Sequence, residues 1–300
     1  MRHNGNGQVD KLIVRIKGGL GNQLFCYAAA RRLALVNDAE LVIDDVTGFL
    51  RDQRYGRQSE LGHFNIPVRR ATPSERMEPF ERLRRGLAKR KARKKAFGAR
   101  QYIEEGTPAF DERILNLKIK GPVYFDGLWQ DEAYFADVEQ IVRRDLEIIP
   151  PTDPLNQSIA NEIRATNSVA VHVRWFDKPG EPQTHNIAKD YYRRAIDSMD
   201  SKTVSPEYFV FSDDPNSVPS KILRDERVNI VSHNCGDKDA YADLWLMSQC
   251  RHFIIANSTF SWWGAWFGAY QGKIVVSPAL ETGTGAMRLA AKIPSSWLKV

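Results

Sequence analysis

Five apolar runs in the second half of the chain dictate its architecture: Ser168–Arg174 (SVAVHVR), Tyr208–Ser212 (YFVFS), Val228–Ser232 (VNIVS), His252–Ala256 (HFIIA) and Lys273–Ser277 (KIVVS). Each is rich in β-branched or aromatic residues and too short for a buried helix, and helical patterns lie between them. Such alternation predicts a doubly wound parallel sheet with helices on both faces. The first half opens in the same way. Lys11–Lys17 (KLIVRIK) reads as a strand, Gly18–Gly21 as a turn, Gln23–Asn37 as an alanine-rich helix closed by Asn37, and Glu40–Asp45 as a second strand. Pro122–Leu128 reads as another strand and Glu132–Leu146 as a helix. Pro150, Pro151 and Pro154 then break the pattern before a helix at Pro154–Ala165. A chain of 300 residues fits two domains. We expect an amino-terminal lobe over 1–155 and a carboxyl-terminal lobe over 156–300. The stretch of about 49–121 is polar, arginine-rich and weakly periodic, and reads as an insertion carrying one helix across Pro79–Lys95.

Composition narrows the class. With 42% hydrophobic and 27% charged residues, the chain can bury a sizeable core, which excludes disordered and disulfide-stapled classes. No apolar stretch reaches the ~18–20 residues of a membrane span, and Met1–Asp10 lacks the apolar segment of a signal peptide, so a cytoplasmic location is expected. Three widely spaced cysteines, Cys26, Cys235 and Cys250, read as free thiols. The net charge of +6 is concentrated: Arg82–Arg100 holds ten Lys/Arg and no acidic residue.

Ligands of a parallel sheet bind past the carboxyl ends of its strands, which singles out four places. In Gly18-Gly19-Leu20-Gly21-Asn22-Gln23, glycines let backbone approach a ligand and the next helix offers N–H groups to an anion; a plain turn with Asn22 as N-cap is the other reading. Next, His172-Val173-Arg174 leads into Asp177, Lys178 and Glu181. Arg174 either clamps phosphate oxygens or pairs with a carboxylate across the lobe boundary, and His172 either serves the site or sits in the core. Third comes Asp213-Asp214-Pro215, in which a carboxylate holds ribose hydroxyls or a metal, or else Ser212 or Asp213 caps a helix. In the fourth, Ser258, Thr259 and Ser261 begin an aromatic helix whose hydroxyls and N–H groups suit a phosphate; Trp262, Trp263 and Trp266 read as core.

Four segments, GGLGNQLFCYAAARRLA, VAVHVRWFDK, YFVFSDDP and ADLWLMSQCRHFIIANSTFSWWGAWF, resemble in order and spacing those of glycosyltransferase family 11, the α-1,2-fucosyltransferases. That resemblance implies an α/β fold of the GT-B type, two Rossmann-like lobes facing each other across a cleft, with GDP-fucose held by the second lobe. It also implies inversion at the anomeric carbon, no cofactor and no required metal. Position by position, Arg174 matches the arginine expected on the β-phosphate and His172 the histidine near the nucleotide. Asn22 matches the asparagine facing the reacting sugar, and Asp177 the motif acid. Asp243 and Ser261 fall at contacts to guanine and phosphate. Gly19, Gly21, Gln23, Lys178, Asp213, Ser258 and Thr259 join the expected substrate contacts. Where the family reads HxRRGD, this chain has Trp175 and Phe176, so the second arginine and the glycine are missing; Asp177-Lys178 followed by Glu181 is more similar to α-1,6-fucosyltransferases.

Transfer from a nucleotide sugar places growing negative charge on the leaving phosphate, which a fixed guanidinium and helix N–H groups can stabilise. Asp177 and Glu181 are the candidate bases, unless no strong base is used. The expected partners are a GDP-sugar and a glycan acceptor, lipid-linked or part of a lipopolysaccharide. Another reading is a metal-dependent GT-A enzyme using Asp237-Lys238-Asp239, but acidic residues there suit a helix start. A third takes Arg82–Arg100 as a nucleic-acid or membrane surface. Without interleaved aromatics nucleic acid is disfavoured, and an anionic membrane, the inner leaflet, is the expected partner.

Overall fold

The computed structural model describes residues 9–53, 55–177, 185–222, 226–279 and 293–300, and the chain divides between Glu147 and Ile148 into two compact units. In the first, β1 (Lys11–Arg15) leads into α1 (Leu20–Asn37) and β2 (Glu40–Asp44). Then come β3 (Arg69–Arg70), α2 (Glu81–Arg93), β4 (Tyr102–Glu104), β5 (Pro122–Asp126) and α3 (Glu139–Asp145). The strands are parallel, in the order β3-β2-β1-β5-β4. The first α1 turns and its alanines Ala28, Ala29 and Ala30 are buried, so this helix is an apolar rod inside the unit rather than a surface helix. Asn37 does close it: the side-chain amide donates to the carbonyls of Leu33 and Leu117 and accepts from the N–H of Ile119.

Three expectations are corrected by this unit. The stretch of about 49–121 is no insertion, because it supplies both sheet edges, β3 and β4, and α2, whose Ala88 and Ala92 pack with Tyr102. Edge strands of two and three residues carry no readable alternation. Glu132–Leu146 is not one helix. It opens as 3₁₀ turns at Glu132–Tyr134 and Ala136–Val138, the first capped by Asp131, and only Glu139–Asp145 is α-helical. Finally, α1 starts at Leu20 rather than Gln23, with Gly19 as its N-cap, so Asn22 lies inside the first turn.

In the second unit α4 (Pro154–Ala165) starts on the Asp153 side chain, which accepts from the N–H of Asn156, with Pro154 in the first turn. It is followed by β6 (Asn167–Val173), α5 (Lys189–Asp200), β7 (Pro206–Ser212), β8 (Val228–Val231), α6 (Ala240–Gln249), β9 (His252–Ile254), α7 (Thr259–Phe267), β10 (Val275–Ser277) and β11 (Leu298–Lys299). All pair in parallel, in the order β11-β10-β9-β6-β7-β8. The chain therefore runs outward from β6 through β7 to β8, then returns to the other side of β6 with β9. Strand order reverses between β6 and β9, and a crevice opens at such a point. Trp262, Trp263 and Trp266 are buried core, as read from the sequence. Gly264 lets α7 lie close to α6, since a Cβ there would stand 2.7 Å from Met247 Cε.

Candidate functional site

Two segments leave the second sheet at the reversal: Arg174–Asp177 after β6, and Asn257–Thr259 between β9 and α7. The elements beside them meet in a ring contact, His172 of β6 against Phe260 of the first α7 turn, with centroids 5.2 Å apart. His172 is buried, its Nδ1 has no hydrogen-bond partner, and its carbonyl accepts from the Tyr192 hydroxyl. Burial first, then the Arg174 charge, push its pKa down to about 3, so the ring is neutral.

Arg174 lies just beyond β6 with its side chain about a quarter exposed. Its Nη1 pairs at 3.0 Å with Asp213, which sits just past the neighbouring strand β7. The pair forms within the second unit, in place of the expected partner across the lobe boundary. The second Asp213 oxygen accepts from the Trp175 N–H at 3.0 Å, so this carboxylate fixes both the arginine and the backbone after it. Burial raises the Asp213 pKa, against the lowering effects of Arg174 and that N–H. Asp213 is not a helix cap: the 3₁₀ turn Pro215–Ser220 starts from Asp214, whose N–H donates to Ser212 Oγ. Where the family motif has its second arginine and glycine, Trp175 carries the Lys221 ammonium 5.0 Å from its ring, and Arg174 sits 5.6 Å from the ring of Phe176.

Asp177 is buried and occupied. Its carboxylate accepts from the N–H of His185 at 2.7 Å and meets His185 Nδ1 at 2.8 Å. Asn186 adds a second tie, its Oδ1 accepting from the N–H groups of Phe176 and Asp177. Asn257 reaches the same group by donating to the His185 carbonyl. Lys178 and Glu181 lie outside the described residues. The sequence reading missed His185 and Asn186, whose only signal was their nearness to the motif acid.

At α7, Ser258 is the N-cap, its Oγ accepting from the N–H of Phe260 at 3.3 Å, and Thr259 occupies the first helical position. Ser261 departs from expectation. It is fully buried, and its hydroxyl donates to the carbonyls of Ala256 and Ser258, which commits it to the turn rather than to a phosphate. Past β8, Asn234 donates to Asp243 at 2.7 Å and exchanges hydrogen bonds with Asn156, which also meets His233. Burial, with repulsion from Asp239, raises the Asp243 pKa to about 7. The signal for His233 and Asn234 was their position just past the carboxyl end of a strand. The Asp237-Lys238-Asp239 triplet forms a 3₁₀ turn ahead of α6, with Asp239 accepting from the Cys235 N–H. Among the described residues no three His, Cys, Asp or Glu side chains converge as metal ligands.

In the first unit, Gly18 takes φ +79°, a left-handed conformation, and a Cβ there would meet Asn22 Nδ2 at 2.8 Å. Gly19 lies near the Arg57 guanidinium, and Gly21 is buried in the first α1 turn. Asn22 Oδ1 accepts from Gln130 at 2.5 Å. Gln23 is an internal staple instead of a ligand contact: its amide donates to the carbonyls of Gly18 and Gln58 and accepts from the Glu60 N–H.

The profile of glycosyl transferase family 11 matches residues 11–282. The chain belongs to that family. It is a glycosyltransferase. This family 11 chain is 29% identical over 307 residues to the Alpha-1,2-colitosyltransferase of Escherichia coli, across 96% of its own length and 98% of the relative's. It is 30% identical to the O-antigen biosynthesis glycosyltransferase WbnK of Escherichia coli, over 88% and 92% of the two chains. Among solved structures it is similar to NodZ α-1,6-fucosyltransferase soaked with GDP-fucose, at a TM-score of 0.52 and 14% identity, covering 86% of this chain and 92% of that one. A FUT1 variant of Arabidopsis thaliana in complex with GDP gives a TM-score of 0.52 and 13% identity, over 92% and 72%. These likenesses place the fold in the GT-B class.

Proposed function

We propose that this enzyme transfers L-fucose from GDP-fucose to a glycan hydroxyl, as a galactoside α-1,2-fucosyltransferase, with inversion and without a required metal. One observation carries the reading: Arg174 stands just past β6 where strand order reverses, held by Asp213, and His172 two residues before it meets Phe260 in the first turn of α7. The guanidinium and the positive end of the helix dipole both suit a departing diphosphate. Charge developing on the leaving group is then met by fixed donors, the kind of contact whose loss commonly lowers rates ~10²–10³-fold. Asp213 competes for Arg174 while the site is empty and orients it when phosphate arrives. Lys221 is the cation that stands in for the missing second arginine of the motif. Asp177 acts as a positioning residue through His185, and Asp243 with Asn234 offers paired acceptor and donor groups suited to a base edge.

Thermal denaturation with GDP, UDP and ADP tests this. GDP should raise Tm selectively, in step with its affinity, and Arg174→Ala should remove most of the rise. Equal stabilisation by UDP would sink the donor assignment. A second donor reading, a GDP-linked sugar other than fucose, is favoured by the relative named a colitosyltransferase; competition between nucleotide sugars in a transfer assay separates the two. The relative named for O-antigen biosynthesis supports a lipid-linked glycan as acceptor, met by a cytoplasmic enzyme at an anionic membrane surface.

A further inference from the structure

We infer that α2 is an interfacial helix that seats the first unit on an anionic lipid bilayer, with Phe80, Leu83 and Leu87 entering the headgroup layer. The inference deepens the reading of a membrane-borne acceptor and rests on it for purpose. Its geometry is independent.

The inner side of α2 is accounted for. Ala88 and Ala92 pack with Tyr102, while Lys89 bonds Glu104 at 2.5 Å and lies 3.4 Å from Asp126. Arg85, at 11% exposure, is also turned inward. The outer side is of another kind. Phe80, the residue ahead of α2, is 75% exposed, Leu83 65% and Leu87 55%, and the four-residue spacing of the two leucines puts them on one ridge. Arg82, Arg84, Arg90 and Lys91 flank this ridge, Lys94 and Lys95 come after it, and all six are exposed. Among the described residues no ion pair engages Arg82, Arg90, Lys91, Lys94 or Lys95.

A solvated helix would place polar groups where the two leucines stand. An apolar ridge edged by cations matches instead a surface of anionic headgroups over acyl chains, and charge complementarity selects that occupant. A nucleic acid would use the cations but leave the leucines in water, and the segment offers no row of aromatics for stacking bases. Among the described residues no helix is long and apolar enough to cross a membrane, so the contact proposed lies along the surface.

Cosedimentation of the full chain with vesicles of phosphatidylcholine, alone or mixed with phosphatidylglycerol, tests the inference. The wild type should bind the mixed vesicles only, and less as salt rises. Arg84→Ser, Arg90→Ser and Lys91→Ser together should weaken binding on the order of a hundredfold and flatten its salt dependence. Leu83→Ser with Leu87→Ser should weaken it at least ~10-fold and leave the salt dependence unchanged. Leu83→Trp should gain fluorescence quenched by brominated acyl chains. Equal binding to neutral vesicles, unaltered binding by the leucine variant, or displacement by single-stranded RNA would overturn the inference. The GDP-induced Tm rise of each variant reports folding and the donor site separately, so failure at the membrane is distinct from failure of the transferase reading.

Discussion

Arg174 and Asp213 join the ends of two neighbouring strands at the place proposed for the diphosphate. The carboxylate is partly buried and its pKa is raised, so ionising it opposes the local environment unless the guanidinium stays near. Replacing Arg174 by Ala should lower kcat by ~10²–10³-fold, and Lys should restore little, because an ammonium lacks the planar fork. In Asp213→Asn the Trp175 contact can persist while the charge is lost. GDP affinity should then hold or rise while turnover falls roughly tenfold or more, since orientation is what the aspartate supplies. Stopped-flow GDP binding alongside steady-state rates separates the two.

Two single groups set opposite pH trends. The His172 pKa is depressed to about 3, so the unfolded chain binds a proton that the native state refuses, and stability is lost as pH falls from about 6.5 toward 3. Asp243 is the reverse: raised to about 7, it favours the native state only while protonated, and its contribution fades as pH rises from about 4 through 7. Asp243→Asn should therefore raise Tm at pH 8 relative to wild type and leave it unchanged near pH 3. A pH series of melting curves for both proteins measures this directly.

At the scale of elements, α7 depends on its first turn. Ser258→Ala removes the bond to the Phe260 N–H and should cost about 1 kcal/mol in chemical denaturation. Because the same turn carries Phe260 against His172, GDP binding at the proposed site should weaken with it. The elements also divide by how readable they were. β6, β7, β9 and β10 announce themselves because strands covered on both faces are mostly apolar runs. β3 and β4 did not, since a two- or three-residue edge strand needs only backbone pairing, and the exposed arginines of β3 look like loop. The Glu132–Leu146 pattern misled for a local reason: Asp131 satisfies a 3₁₀ start, and the first α-helical residue is Glu139.

For the whole molecule, full activity is expected in excess EDTA, since in the proposed mechanism Arg174 and the α7 dipole supply the charge that a metal would otherwise bring. Loss of activity on chelation, restored by a divalent ion, would reject that part. The proposed membrane surface and the proposed donor site belong to different units, so salt should release the chain from anionic vesicles while GDP still raises its Tm.

The order of residues alone determined two parallel sheets, the glycine turn after β1 and the position of Arg174 just past a strand, all of which depend on local periodicity and on the residues just past each strand end. Only the folded chain decided that Arg174 meets Asp213, that Gln23, Asp177 and Ser261 are held by internal hydrogen bonds, and that a basic helix leaves Leu83 and Leu87 exposed. Those outcomes depend on which groups meet across tens of residues, and polar side chains with the same spacing can turn toward a ligand or toward backbone according to neighbours that periodicity does not encode.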